Sequence, residues 1–149
     1  MPAVELDPSP AEGAVVEPIF TPPPKATAPA LPTPTATLAV AVRYQDSTTL
    51  TPDDIRAVLR LVEAPADWIE PLTAIALCES HGRTGAIGDG GNSLGPWQLW
   101  FGWARPMGYQ ADDLHDPIKA AETAVYIRTV RGRFGGGGGW TCADLLGIP

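Results

Sequence analysis

The sequence predicts a mainly α-helical domain over residues 50–149, preceded by an extended, proline-rich arm over residues 1–49. Ten of the 17 prolines come before residue 35, and prolines at this density remove backbone donors and favour extended conformations. Helix start and stop signals recur after residue 50, whereas strand signals are few. We therefore expect one compact domain of about a hundred residues and an arm without a core of its own.

Three helices are predicted in the domain, each from a start signal and apolar residues at helical spacing. Proline is tolerated in a first helical turn, so a polar cap followed by proline marks two of the starts. The predicted helices begin at Thr51-Pro52, about Asp67 and Asp116-Pro117, and end at Ala64-Pro65, Ser80 and Gly132. A short aromatic helix or turn is expected over residues 96–103. Residues 38–44 allow one short strand in the arm.

Charge and hydropathy exclude some partners. The formal net charge is -7, and phosphate binding needs clustered Lys and Arg, so nucleic acid is not expected. No apolar run reaches the roughly eighteen residues of a membrane span, and no ordinary signal peptide is visible at Met1. We therefore expect a chain that is exported by other means, released by lysis or carried in a particle.

Glu79 is the strongest candidate for a catalytic group. It follows the apolar stripe of the second helix, and Gly82 and Gly85 come directly after that helix. A carboxyl at such a margin is partly surrounded by apolar groups, which favours its neutral form and raises its pKa. These properties suit a general acid in glycoside cleavage. A solvated carboxylate at a helix end is the simpler alternative.

Two glycine-rich segments follow. The first, residues 88–91, comes after a helix, so it does not fit a dinucleotide-binding loop, which follows a strand. We expect instead a hairpin-like tongue whose glycines let backbone approach a ligand. Asp89 in this tongue is the candidate for the second acid of a two-carboxylate glycosidase. The second segment, residues 135–139, could be a binding loop or a flexible connector, and a connector is the simpler interpretation.

Neither a metal site nor a cofactor is predicted. His81 and His115 are the only histidines, and no pattern typical of zinc ligands occurs. Cys78 and Cys142 flank the candidate site. Such a pair readily forms a disulfide in a small domain outside the cytosol, although the spacing alone also allows two buried thiols. A disulfide closing this loop would stabilise the fold by about 4 kcal/mol on chain-entropy grounds.

Two motifs carry a family resemblance. Glu79-Ser80, followed by Gly91-Asn-Ser93-Leu-Gly95-Pro-Trp-Gln98, resembles the start of a soluble lytic transglycosylase domain in the lysozyme-like superfamily. Cys78-Glu79, together with Trp140-Thr-Cys142, is similar to the resuscitation-promoting-factor branch of that superfamily. The resemblance covers residues 68–142. The chain departs from the family in a longer loop between Glu79 and Gln98 and in Pro96-Trp97, where small or aliphatic residues are usual.

The resemblance implies roles for further residues. It implies a lysozyme-like fold, a bridge between Cys78 and Cys142, and Ser93 and Gln98 hydrogen-bonding backbone or substrate near Glu79, unless these two are ordinary loop residues. Aromatic rings can stack on sugars, but a core role is at least as expected for two of the four candidate tryptophans. The aromatic candidates are Trp97, Trp100, Trp103, Trp140 and Tyr126, the last matching a family helix tyrosine near the acid.

The implied activity is cleavage of peptidoglycan glycan strands between N-acetylmuramic acid and N-acetylglucosamine, by a lytic transglycosylase or a muramidase. A closed anhydro ring and an ordinary reducing end both remain open as products. An extracellular or virion-associated location is expected, for example in a phage protein that opens the cell wall, with residues 1–49 binding a protein partner. The alternatives are an inactive lysozyme-fold structural protein of a virion or tail, and a secreted peptidoglycan-remodelling factor.

Overall fold

The structure is a computed structural model, and it describes residues 49–149. The predicted arm, including its strand over residues 38–44, therefore lies outside the described residues apart from Thr49. The described part is mainly helical, as the sequence predicts. No helix within it is both long enough and apolar enough to cross a membrane.

Four α-helices and a small sheet make up this part of the chain. The helices are α1 (Pro52–Leu61), α2 (Ala66–Ser80), α3 (Pro117–Arg131) and α4 (Thr141–Leu146). The strands, all between α2 and α3, are β1 (Ile87–Gly88), β2 (Ser93–Leu94) and β3 (Leu99–Trp100). Short 3-10 helices cover Asp89–Gly91, Phe101–Trp103, Arg105–Met107 and Ala111–His115. The sequence predicted α1, α2 and α3 but not α4.

The starts of α1 and α3 are fixed by the predicted caps. The Asp54 amide donates to the Thr51 hydroxyl at 3.2 Å, and the Thr51 amide donates back to the Asp54 carboxylate at 3.0 Å. Asp116 accepts from the amides of Ile118 and Lys119. Each cap satisfies donors that the first helical turn leaves unpaired, a contribution of about 1 kcal/mol.

The core lies between α1, α2 and α3. Small side chains on α3 allow the helices to approach closely, while larger aliphatic side chains on α1 and α2 fill the space between them. The buried residues of these helices include Ile55, Val58, Leu59, Ile69, Leu72, Ile75, Ala76, Ala120, Ala121, Ala124 and Ile127. In the apolar stripe predicted for α2, Trp68 and Leu77 lie at its margin and are partly buried.

The predicted tongue is present as a three-stranded antiparallel sheet in the order β1-β2-β3. Leu94 is paired with Ile87 on one side and with Leu99 on the other. We call residues 87–100 the tongue. Gly95, in the turn after β2, has a φ of +73°, and a Cβ there would collide with the backbone carbonyl of Leu114. Glycine is therefore required where the tongue packs against the chain leading to α3.

Candidate functional site

A cleft of about 510 Å³ opens beside the C-terminal end of α2. Its walls come from the end of α2, the tongue with the residues just after it, one residue of α3 and the segment that leads into α4. The lining residues are Glu79, Asp89, Asn92, Ser93, Gln98, Leu99, Trp100, Trp103, Ile127, Gly138, Gly139, Trp140 and Thr141. The chain thus brings the predicted acid and most of the predicted site residues into one cleft.

Glu79 is partly buried and held by a backbone donor. Its Oε1 accepts a hydrogen bond from the amide of Cys142 at 3.1 Å. The disulfide between Cys78 and Cys142 joins the same two segments, with their Cα atoms 5.9 Å apart. The disulfide is therefore confirmed, and it places the acid at the junction of α2 and α4.

The pKa of Glu79 is raised above that of an ordinary glutamate. Burial is the largest cause, because removing water disfavours the charged carboxylate. The negative charge of Asp89 raises the pKa further, while the hydrogen bond from Cys142 lowers it. Glu79 therefore keeps its proton to a higher pH than a solvated glutamate would, which is the property that a proton donor needs.

Asp89 lies across the cleft from α2, on the tongue. It is exposed and has a φ of 49°, a left-handed conformation that Asp tolerates better than most residues. Its carboxylate accepts a short hydrogen bond from the Ser93 hydroxyl, and its carbonyl accepts from the Asn92 side chain at 3.0 Å. Two carboxyl groups therefore face one cleft, and the charge of Asp89 contributes to the raised pKa of Glu79.

Ser93 and Gln98 both line the cleft, but their hydrogen bonds are internal to the tongue. Gln98 donates through Nε2 to the Gly95 carbonyl at 3.0 Å and has a φ of 46°. A Cβ on Gly88 would collide with Gln98 Oε1, so this side chain also packs directly on β1. Both residues fix the shape of the tongue and present their remaining surface to the cleft.

The four candidate tryptophans separate into two groups. Trp97 is 0% exposed and lies outside the cleft lining, so it does not fit the predicted stacking role and agrees with the alternative of a core aromatic. Its Nε1 donates to the Leu72 carbonyl at 2.8 Å. Trp140 is only 5% exposed but lines the cleft, and its Nε1 donates to the Trp97 carbonyl at 2.8 Å.

The other two candidate tryptophans, Trp100 and Trp103, keep solvent-exposed surface. Trp100 is 56% exposed, and Trp103 is partly buried. Tyr126, on α3, does not line the cleft; its ring meets that of Trp103 edge to face, with ring centroids 6.3 Å apart. Its contact with the site is therefore through Trp103. Trp100 and Trp103 are the aromatic side chains that a ligand could reach.

Sequence reasoning missed several cleft residues. Gly138 and Gly139 belong to the glycine-rich segment for which a connector was the simpler interpretation. Asn92, Leu99, Ile127 and Thr141 also line the cleft and were not among the candidates. The amide of Cys142 was also missed, because its contact with Glu79 joins residues 63 positions apart.

The histidines occupy structural positions. His81 is exposed and caps the C-terminal end of α2 with a φ of 58°. His115 Nδ1 lies 2.7 Å from the Thr84 carbonyl. Within residues 49–149, no group of three or more His, Cys, Asp or Glu side chains is placed to hold a metal ion.

Comparison of the chain with protein-family models, curated proteins and solved structures finds no match. The fold and the cleft together define a mainly helical domain that presents one partly buried carboxyl and a second, exposed carboxyl to a groove with accessible aromatic rings. Function is therefore inferred from the residues of the cleft themselves.

Proposed function

We propose that the protein cleaves peptidoglycan glycan strands between N-acetylmuramic acid and N-acetylglucosamine, with Glu79 as its single catalytic acid. One observation carries the proposal. Glu79 lines an open cleft, is partly buried and has a raised pKa, so a protonated carboxyl is available beside a groove that can receive a polymer. The motifs around Glu79 and Gln98 support the same assignment.

The walls of the cleft suit an uncharged sugar. Uncharged polar side chains of Asn92, Ser93 and Gln98 can hydrogen-bond hydroxyl and acetamido groups, and Trp100 and Trp103 offer aromatic faces for pyranose rings. Glu79 and Asp89 are the only charged side chains among the lining residues. No Lys, Arg or His side chain is among these lining residues, which disfavours strongly anionic ligands.

The first chemical step is proton transfer from Glu79 to the glycosidic oxygen. The bond between that oxygen and the anomeric carbon breaks, the leaving sugar carries the proton away, and positive charge develops at the anomeric carbon. In the transglycosylase course, the substrate's acetamido group stabilises this charge. The Glu79 carboxylate then takes the proton from the 6-hydroxyl, whose oxygen bonds to the anomeric carbon and closes the anhydro ring.

Asp89 supports an alternative second step, in which water attacks instead of the 6-hydroxyl. It faces the same cleft, and one of its oxygens already accepts a hydrogen bond from Ser93. The remaining lone pairs could orient a water, whose attack on the anomeric carbon, with transfer of its proton to the Glu79 carboxylate, would give a reducing end. The identity of the product therefore distinguishes a lytic transglycosylase from a muramidase.

We propose that this reaction takes place outside the cytosol, at the bacterial cell wall, on an extracellular or virion-associated protein. The disulfide supports this setting, because disulfides persist in oxidising environments. Residues 1–49 would attach the domain to a protein partner in a virion or tail.

The test is to incubate the wild type and Glu79→Gln with purified peptidoglycan and to identify released fragments by mass spectrometry. Glu63→Gln is the matched control, since Glu63 is exposed and does not line the cleft. We expect release by the wild type and the control but not by Glu79→Gln. Anhydromuramyl products would assign a transglycosylase, and reducing ends a muramidase. No release by folded wild-type protein would contradict the proposal and favour an inactive structural role.

A further inference from the structure

The segment between α3 and α4 is a built structure rather than the flexible connector expected from its composition. We call residues 135–139 the glycine loop. The guanidinium of Arg131 points into it and donates to a series of backbone carbonyls. The acceptors are Phe134 at 2.9 Å, Gly135 at 3.0 Å, Gly137 at 3.2 Å, and Arg133 and Gly136 at 3.4 Å. One side chain thus holds the backbone of residues 133–137.

The loop is also fastened from α4. The carboxylate of Asp144 accepts from the Gly136 amide at 2.8 Å. Within the loop, the Gly139 amide donates to the Gly136 carbonyl at 2.8 Å, and the Trp140 amide closes the loop on the Phe134 carbonyl at 3.1 Å. Side chains from α3 and α4 therefore hold the loop from two directions.

The glycines of the loop serve two purposes. A Cβ on Gly135 would collide with the Asp144 carboxylate, and a Cβ on Gly139 would collide with Arg131 Nη1. These two glycines make room for the residues that fasten the loop. Gly137 and Gly138 are different, since a Cβ on either would meet nothing within 4 Å. Their lack of a side chain is not required by packing within the described residues.

Part of the glycine loop lines the cleft. Gly138 and Gly139 line it, next to Trp140 and Thr141, and the following amide, that of Cys142, is the one bonded to Glu79. Among residues 49–149, no acceptor receives a hydrogen bond from the amides of Gly137 and Gly138. Gly138 carries no side chain, and its amide has no acceptor among residues 49–149, so a ligand in the cleft can approach this backbone closely and hydrogen-bond it.

We propose that the glycine loop is a binding wall of the cleft, which presents bare backbone to the sugar rings of an N-acetylated glycan, and that Arg131 is the positioning residue that holds this wall in place. The identity of the ligand rests on the proposed function. Binding by the loop does not require turnover, so the two proposals fail separately.

The direct test uses NMR spectra of ¹⁵N-labelled Glu79→Gln protein, titrated with a tetramer of β-1,4-linked N-acetylglucosamine. We expect the Gly138 and Gly139 amide signals to shift together with those of Asn92 and Ser93 on the tongue. Shifts confined to the tongue would overturn the loop proposal and leave the proposed function standing. Shifts in neither wall would overturn the loop proposal, and the fragment-release assay decides the proposed function separately. Shifts in both walls, with no turnover by the wild type, would support the loop and contradict the proposed function.

Gly138→Asn tests contact with the ligand. Asn tolerates the left-handed backbone better than most residues, and Gly138 has a φ of +79° with open space around it, so the variant adds a side chain to the loop at a backbone strain that the control shares. Gly132→Asn is the matched control, because Gly132 has a φ of +72°, equally open space and no place in the cleft. We expect Gly138→Asn to raise the Kd for the tetramer about fivefold, which corresponds to one lost hydrogen bond. Equal Kd values for the two variants would overturn the proposal.

Arg131→Lys tests the positioning role. Lysine keeps the charge but lacks the planar fork that donates to several carbonyls at once. We expect KM for soluble glycan fragments to rise about fivefold and kcat to change less than about twofold. A general loss of folded protein would lower kcat and leave KM unchanged. Arg60→Lys, an exposed position on α1 outside the cleft, should behave as the wild type. An unchanged KM in Arg131→Lys would contradict the role given to Arg131.

Discussion

The two walls of the cleft are held in different ways. The tongue consists of antiparallel strands of two residues each, and its turns contain side-chain hydrogen bonds and Asp89 and Gln98 in left-handed conformations. The opposite wall, residues 138–141, is held by the disulfide between Cys78 and Cys142 and by Arg131. The tongue depends on several weak contacts, whereas the opposite wall depends on one covalent bond and on the side chains of Arg131 and Asp144.

This difference matters because Glu79 interacts with residues of both walls. The acid is on α2, directly after Cys78, and its fixed hydrogen bond comes from Cys142. Asp89, which contributes to its raised pKa, belongs to the tongue. Removing the disulfide should therefore alter stability most, and removing the charge of Asp89 should alter the pKa of Glu79.

The largest effect is expected from removing the disulfide. Replacing Cys78 and Cys142 by Ser should lower the free energy of unfolding by about 4 kcal/mol, because the unfolded chain regains the entropy of an open loop. Urea unfolding measures the change. A reductant should destabilise the wild type by a similar amount and leave the double variant unaffected. If the reductant did not lower the free energy of unfolding of the wild type, the predicted contribution of the disulfide would be wrong.

A smaller effect is expected where the tongue meets the core. Trp97→Phe should lower the free energy of unfolding by about 2 to 3 kcal/mol, because it removes the bond to the Leu72 carbonyl and leaves a cavity. Trp100→Phe should change it by less than about 0.5 kcal/mol, since Trp100 is largely exposed. Chemical denaturation of the two variants side by side gives the comparison. Equal losses would mean that the division between core and accessible tryptophans is wrong.

Asp89→Asn should change the pH dependence of cleavage rather than stability. Activity needs protonated Glu79, so it is lost as pH rises through the pKa of that group. The variant removes a charge that raises this pKa, while burial, the larger cause, stays. The high-pH limb of the rate profile should therefore move to lower pH. Asp112→Asn, an exposed position outside the cleft, is the control. If the high-pH limb did not move, the charge of Asp89 would have no influence on the pKa of Glu79.

The smallest effect is expected from Gly102→Ala. A Cβ at Gly102 would collide with the Trp100 ring, so the methyl group should displace this accessible ring and leave the core unchanged. We expect the Kd for the N-acetylglucosamine tetramer to rise about threefold, as for a partial loss of ring stacking. Gly85→Ala, where a Cβ meets nothing within 4 Å, should bind as the wild type. Identical affinities in calorimetry would remove Trp100 from the binding surface.

Features that depend on residues close together in the chain could be predicted from the sequence. The capping box of Thr51 and Asp54, the cap at Asp116 and the position of Glu79 near the end of a helix are all local signals, and the structure confirms them. The end of α1 was predicted less well: the helix stops at Leu61, before the expected Ala64-Pro65, because ends carry weaker signals than capped starts.

What the sequence could not predict depends on distant contacts. α4 has six residues, and its N-cap residue, Trp140, makes no side-chain cap hydrogen bond, so neither length nor capping marks it. Trp97 and Trp100 stand three positions apart, and only the packing of the tongue against Leu72 separates a buried ring from an accessible one. The role of the glycine loop is hidden in the same way, because its fastening side chain, Arg131, looks like an ordinary basic residue at a helix end.

The contact between Cys142 and Glu79 also sets an order of events in folding. It joins residues 63 positions apart, and the bond from Trp140 to Trp97 joins residues 43 positions apart. Contacts of such long range require costly loop closure, and they form only after both partners have been synthesised. A nascent chain that ends before Trp140 can form α2 and the tongue, but its Glu79 lacks the donor and the neighbours that bury it. The acid therefore acquires its special environment last, when the C-terminal segment docks.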